Sequence, residues 1–321
     1  MKKNGERKSL RLRIKEWTLN LSSKDNIVIP YKYIAETLLT KRGEDIPDII
    51  ILNEYVPQNN SCKKLKKLFE DKGYSSFYQG ENTINQTIML VREELKPSQV
   101  NEPVKIDPLK GEIFNIWPYI VHVQIALKGT IYNVIGCRIR IGQTINYWKE
   151  TISDKLKQEI EQKNREEAKA RKQQFDIILK YISSLKLENI IMVGDFNNYR
   201  DNTPVADWNL NVIDQAIQGK LIRETPKDSG SWSACYNAEE KSIFTSKLGW
   251  KSQSVYYFRL DHLFISPEMS PMIRDKSYDW EFALQEITNE SPNCVLDKNN
   301  NIQIKQGFPD HAIFAVTIET E

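Results

Sequence analysis

The sequence predicts a mixed α/β protein whose central strands are covered on both faces, and three observations carry that expectation. Four apolar residues, Ile190 to Val193, run without alternation into Gly194-Asp195-Phe196-Asn197. A continuous apolar strand belongs in the middle of a sandwich, where neither face meets water. Other apolar runs along the chain likewise end at, or start from, an acid, an amide or a histidine. Between them lie helical segments, and in the clearest of these Phe175, Ile178, Leu179, Ile182 and Leu185 share one stripe.

Taken in order, strands are expected near 10–20, 48–54, 86–92, 117–127, 130–141, 189–195, 257–266 and 312–318, with helices near 31–42, 61–72 and 149–185. Thr18-Leu19-Asn20-Leu21 closes the first strand on an amide, and Asp48 to Glu54 is an isoleucine-rich strand ending in an acid. Pro97, Pro103 and Pro108 make 95–112 a surface loop. Lys128-Gly129 is a hairpin link between two apolar runs, and Asp297 to Asn301 is a turn between Val295 and Ile302. The segment Trp148–Leu185 is charged in its first half, which is read as a solvent-facing extension. Its second half is read as a helix packed beside the strand that leads to Asp195. Gly194 is expected to let the backbone turn sharply at that strand's end.

Composition bounds the rest. The 40% hydrophobic content suffices for a core, and candidate site residues spread from Asn20 to His311 favour one domain, residues 10–321, after a basic tail at 1–9. A net charge of +2 excludes a strongly basic nucleic-acid binder, so partner information rests on local patches. Two such patches are the tail with Arg11 and Arg13, and Lys63, Lys64, Lys66 and Lys67 on a helix; a solvated surface explains either equally well. The sequence contains neither a membrane-length apolar run nor a signal-peptide pattern, and Cys62, Cys137, Cys235 and Cys294 read as reduced thiols of a cytoplasmic protein.

The chemistry starts from spacing. Asp195 and Asn197, two apart in extended chain, face one point: an acceptor able to take a proton from water and a donor for developing negative charge. Asp261, embedded in the strand-like Tyr257–Ser266, requires a partner. His311, in Gly307-Phe308-Pro309-Asp310-His311, is the candidate, with Arg259 or a backbone amide as alternatives. His262 should point to the opposite face from Asp261 as a packed or capping residue, and His122 reads as structural. The oxygen donors of Glu54, Asp310 and Asn20 favour a hard cation, magnesium by default with manganese as a substitute, although Asn20 could equally be a turn residue.

These five segments, in this order from about Leu10 to Thr317, resemble the endonuclease/exonuclease/phosphatase superfamily, which includes deoxyribonuclease I and the exonuclease III-type nucleases. The resemblance implies a four-layer sandwich, with two mixed β-sheets packed face to face and flanked by helices. It implies that Asn20 orders the metal site, Glu54 binds the metal and Asp310 lies beside it. Asp195 would activate the attacking water, Asn197 contact the phosphate, and Asp261 orient His311, which contacts the scissile phosphate. The chain departs from the family pattern at Leu19, where tryptophan is usual, and at Pro309, where serine is common. In the strand Tyr132–Arg140, Arg138 stands in a slot where histidine or tyrosine is usual. Arginine cannot serve as a general acid but can clamp a phosphate with two hydrogen bonds; Arg140 shares its face and takes that role if the register differs.

The activity implied is metal-dependent hydrolysis of a phosphodiester, with nucleic acid, DNA first, as partner and no membrane or protein partner indicated. Two alternatives stay open: a small-molecule or lipid-headgroup phosphatase, and a catalytically weak nucleic-acid-binding relative. The segment 197–201 and the loop 223–256 bring Trp232, Tyr236, Trp250, Tyr256 and Tyr257 together with Arg223, Lys227, Lys241 and Lys251, suited either to stack bases or to fill core.

Overall fold

The computed structural model describes residues 10–21, 28–39, 46–80, 85–100, 119–140, 154–198, 208–226, 230–231, 235–237, 242–244, 259–280, 294–296, 302–304 and 309–320. The chain runs β1 (Leu10–Thr18), α1 (Tyr31–Leu39), β2 (Ile49–Tyr55), α2 (Asn60–Glu70), β3 (Tyr74–Phe77), β4 (Gln86–Arg92), β5 (Ser98–Gln99), β6 (Ile120–Leu127) and β7 (Thr130–Arg138). There follow α3 (Asp154–Ser184), β8 (Ile190–Asp195), α4 (Leu210–Ile217), β9 (Ile222–Arg223), β10 (Cys235–Asn237), β11 (Ser242–Phe244), β12 (Asp261–Ile265), β13 (Ile273–Asp279), β14 (Cys294–Leu296), β15 (Ile302–Ile304) and β16 (Ile313–Thr320).

Two six-stranded sheets form the body. The first has the order β13-β16-β1-β2-β4-β3 and the second β5-β6-β7-β8-β12-β9. Each is mixed, with a parallel pair at its centre, β1 beside β2 and β7 beside β8. The sheets pack face to face through Leu12, Ile14, Ile49 and Ile51 on one side and Val121, Val134, Ile191 and Val193 on the other. The outer face of the first sheet is covered by α1 and α2, and that of the second by α3 and α4. This is the four-layer sandwich that the resemblance implies. In a small third sheet, β11-β10-β15-β14, β14 pairs antiparallel with β15; the turn expected at Asp297 to Asn301 lies outside the described residues.

The continuous apolar run at 190–193 has the predicted cause. Ile191 and Val193 enter the core between the sheets, while Ile190 and Met192 meet α3 and α4. Gly194 needs no side chain for a different reason from the one expected. It lies inside β8, where a Cβ would come within 1.7 Å of the Cys137 carbonyl on β7. The residue permits close parallel pairing rather than a turn.

Helix α3 turns mostly charged residues to solvent in its first half, as expected, although Ile160 is buried there, and Ala168 and Arg171 are buried near its middle. The strand expected at 130–141 stops at Arg138, and β12 begins at Asp261, so that acid opens a strand instead of sitting within one. Within the segment expected as a loop at 95–112, Ser98 and Gln99 form β5, which pairs with β6; residues 101–112 lie outside the described residues, as do the tail 1–9 and most of 223–256. Of the lysines on α2, Lys66 pairs with Glu70 and Lys67 with Asp71, which accounts for two of them as surface ion pairs. Among the described residues no helix is long and apolar enough to cross a membrane.

Candidate active site at the facing edges of the two sheets

Strand pairing alone brings three charged side chains into a row. In the second sheet Arg138 is the register partner of Asp195 across the parallel β7–β8 pair, and Asp195 is that of Asp261 across the antiparallel β8–β12 pair. Side chains at paired positions point to the same face of a sheet. The row therefore faces the first sheet. Arg138, and not Arg140, belongs to it; Arg140 lies over the Tyr119 ring and its main chain pairs with Gln174.

The first sheet contributes its strand ends. Glu54, near the end of β2, accepts from Arg138 Nη2 at 2.5 Å through Oε1. Asn20 follows β1, and Asp310 and His311 precede β16. His311 Nδ1 meets Asp261 Oδ2 at 2.7 Å, joining the two sheets, and Trp17 Nε1 donates to the His311 carbonyl at 2.8 Å. The tryptophan two positions before Leu19 thus anchors the histidine. Asp310 Oδ1 lies 3.9 Å from His311 Nε2.

Asn20, Glu54 and Asn197 all have left-handed backbone, with φ of 53°, 60° and 46°. Such conformations are uncommon outside glycine and cost energy, most of all for a glutamate, so packing must hold them. For Asn197 the restraints are visible. Its N–H donates to Asp195 Oδ1 at 2.9 Å, and its Nδ2 donates to Asp195 Oδ2 at 2.7 Å and to the Ile139 carbonyl at 2.9 Å. Its own carbonyl accepts from Arg171 Nη1 at 2.6 Å. Asn198 Oδ1 accepts from His262 Nε2 at 2.8 Å, while His262 Nδ1 meets Thr225 Oγ1 at 3.0 Å. His262 is fully buried, and burial holds it well below the usual histidine range, so it is a neutral packing residue. His122 is likewise structural, bound to Tyr181 and Asn133 on the outer face.

Electrostatics set the protonation states. Burial raises Asp195 to about 6; neighbouring Asp261 adds to this, while His311 and Arg138 pull it down. Burial opposes charge on His311, but the Asp261 carboxylate outweighs it and the imidazole binds its proton well above the usual range. Burial also raises Glu54, against the pull of Arg138. One arrangement therefore holds a carboxylate able to take a proton beside an imidazolium able to stabilise negative charge.

Sequence reasoning missed two members of this neighbourhood. Arg171, lost in a charged run, is buried and holds the Asn197 loop; its spacing from Ala168 and Phe175 puts it on the inner stripe of α3. Glu16, on β1, is fully buried, and its position in alternation with Leu12 and Ile14 would have placed it on the core face.

Asp195, Asp261 and His311 form a buried group whose ligand atoms lie within 4.8 Å of one another and that could hold a metal ion. His311 and Asp261 are, however, already bound to each other. The carboxylates of Glu54 and Asp310 are more exposed, at 15% and 17%, and are oxygen donors of the kind a hard cation takes. Glu54, Asp195, Asp261 and Asp310 face Arg138 and His311, and the surplus of negative charge suits a divalent cation.

No family model and no curated protein matches the chain. Solved structures do. TDP2 from D. rerio, complexed with a single-strand DNA product, is 14% identical with a TM-score of 0.55, over 97% of this chain and 99% of that one. An endonuclease/exonuclease/phosphatase family protein from Bacteroides thetaiotaomicron is 12% identical with a TM-score of 0.56, over 98% and 99%. The 3' phosphatase NExo from Neisseria, bound to a product DNA hairpin, is 15% identical with a TM-score of 0.52, over 97% and 99%. At these identities the likeness shows the fold.

Proposed function

We propose that this chain, which has the endonuclease/exonuclease/phosphatase fold, is a metal-dependent phosphoesterase that hydrolyses a phosphodiester, with DNA as its substrate class. The observation that carries this reading is the 2.7 Å Asp261–His311 pair set within ligand distance of Asp195. It is a proton acceptor beside a charged donor, with two further acids and an arginine at the rim. That is what in-line attack of water on a phosphoester requires.

In this mechanism Asp195, held at both oxygens by Asn197, takes a proton from the attacking water. His311, charged and oriented by Asp261, donates to a non-bridging phosphate oxygen as negative charge grows there. Asn197 offers Nδ2 to the same phosphate; that nitrogen is engaged with Asp195 and Ile139, so the contact shares or releases one of those bonds. Arg138, whose Nε lies 3.4 Å from Asp195 without a hydrogen bond, turns its guanidinium from Glu54 to the phosphate. Glu54 and Asp310, with Asn20, would hold the cation. When bound, magnesium would neutralise phosphate charge and assist the leaving oxygen. The presence of product DNA in the TDP2 and NExo structures supports nucleic acid as the substrate class.

The test is incubation of the purified chain with end-labelled single-stranded, duplex and abasic DNA, RNA and a soluble phosphate monoester, with magnesium or chelator, beside Asp195→Asn. Cleavage of DNA that needs both metal and Asp195 is expected. Release of phosphate from the monoester alone would make the chain a phosphatase, and DNA binding without turnover would make it a binding relative.

A further inference from the structure

Glu16 is fully buried near the end of β1 and has no part in the chemistry above. Its Oε1 accepts from Asn53 Nδ2 at 2.7 Å and from Thr18 Oγ1 at 3.3 Å. Its Oε2 is buried with no hydrogen-bond partner. Oδ1 of Asp261 is in the same condition, while its Oδ2 serves His311. Both residues are fully buried, where an orphaned carboxyl oxygen is costly, and a proton on one carboxyl group offered to the other would offset that cost for both.

The surroundings favour that proton on Glu16. The ionisable groups that face it from the packed strands are Asp261 on β12, Asp195 on β8 and His311 before β16, with Cys137 on β7 and Tyr278 on β13. Two are acids and one is a cation already committed to Asp261. Burial foremost, then Asp261, raises Glu16 well above the usual carboxyl range, and Asn53 only partly offsets this. Asp261 Oδ2 is already engaged by His311 Nδ1 at 2.7 Å.

We propose that Glu16 holds a proton and directs it at Asp261 Oδ1, making Glu16 a positioning residue that fixes the carboxylate behind His311. Three other contacts lock the backbone of Asp261: Ser231 Oγ accepts from its N–H at 3.1 Å, the Tyr278 hydroxyl donates to its carbonyl, and β8 pairs alongside. Glu16 supplies the remaining restraint, on the side chain itself. With it, each Asp261 oxygen has one donor and the carboxylate plane cannot rotate. Without it, His311 loses its fixed orientation toward the phosphate.

This inference rests on the phosphoesterase reading only for its kinetic consequence, so two readouts separate them. The first is infrared spectroscopy of the full chain with carbon-13-labelled glutamate: a protonated-carboxyl band that shifts in D2O is expected, and is lost in Glu16→Gln. The second is turnover. Glu16→Met, close in shape but without a donor, is expected to lower kcat about 10- to 100-fold with KM little changed, the cost typical of removing an orienting partner. Glu16→Gln, which restores a neutral donor, is expected to recover most of that loss. Absence of the band in an active protein overturns the inference and leaves the phosphoesterase reading intact. Equal impairment of Gln and Met variants, or none in either, also overturns it. If the chain proves inactive on every phosphoester, the infrared band alone decides whether Glu16 holds the proton.

Discussion

The two edges that meet at the site are built differently. On the second sheet Arg138, Asp195 and Asp261 are placed by cross-strand register, at paired terminal positions of β7, β8 and β12, and the two acids are buried, at 1% and 0% side-chain exposure. On the first sheet Asn20 and Glu54 sit at strand ends in left-handed backbone, and Glu54 and Asp310 keep partial access to solvent. The difference suits two tasks. Proton transfer needs groups whose environment shifts their proton affinity, which burial in a rigid sheet does. Cation capture needs oxygen donors that remain reachable, which the partial exposure of Glu54 and Asp310 allows.

Substitutions on each edge test that division. Asp195→Asn should cause the largest loss, about a thousand-fold in kcat, within the range expected for a lost general base. It should also stabilise the protein. Asp195 binds its proton more tightly folded than unfolded, so its ionisation opposes folding as pH rises through about 6, and the amide removes that penalty. A higher melting temperature at pH 8 with lost turnover is the expected pair of results; equal melting temperatures would separate burial from function. For the same reason wild-type kcat/KM should fall in proportion to proton concentration as pH drops below about 6, and a profile flat to pH 5 would contradict Asp195 as base.

On the first sheet, Glu54→Gln should move the magnesium dependence of activity upward by about 100-fold while leaving the acid limb of the pH profile in place. A changed acid limb would break the proposed division. Arg138→Ala sits between the two. It should weaken substrate binding about tenfold, and because Glu54 then loses its guanidinium partner, manganese binding measured by electron paramagnetic resonance should tighten. Unchanged affinity and turnover would remove Arg138 from the site. The smallest kinetic change is expected on the scaffold: Gly194→Ala, which forces β7 and β8 apart, should cost about 3 kcal/mol in urea unfolding, the upper end for overpacking.

The same contrast explains what the sequence made legible. Apolar runs capped by Asp195 and Glu54 could be read directly, because strands buried on both faces announce themselves and an acid at their end stands out. The pairing of Asp261 with His311 followed from the cost of a buried acid. Arg171 and Glu16 were hidden by their neighbours: one stands in a run of charges, the other beside Lys15, and only the parity of their positions turns them inward. Elements such as α4 and β13 were not anticipated either. Leu210–Ile217 is short and Ile273–Asp279 mixes charges with apolar residues, so tertiary packing rather than local pattern decides them.

The left-handed positions at 20, 54 and 197 place a mark on the history of the chain. Glycine at any of them would relieve backbone strain, so backbone conformation alone gives no reason to retain two asparagines and a glutamate there. A copy released from selection for activity would drift toward glycine at these three positions while its sandwich stayed intact. Their state in a related gene is therefore a readout of whether that gene still encodes a working site.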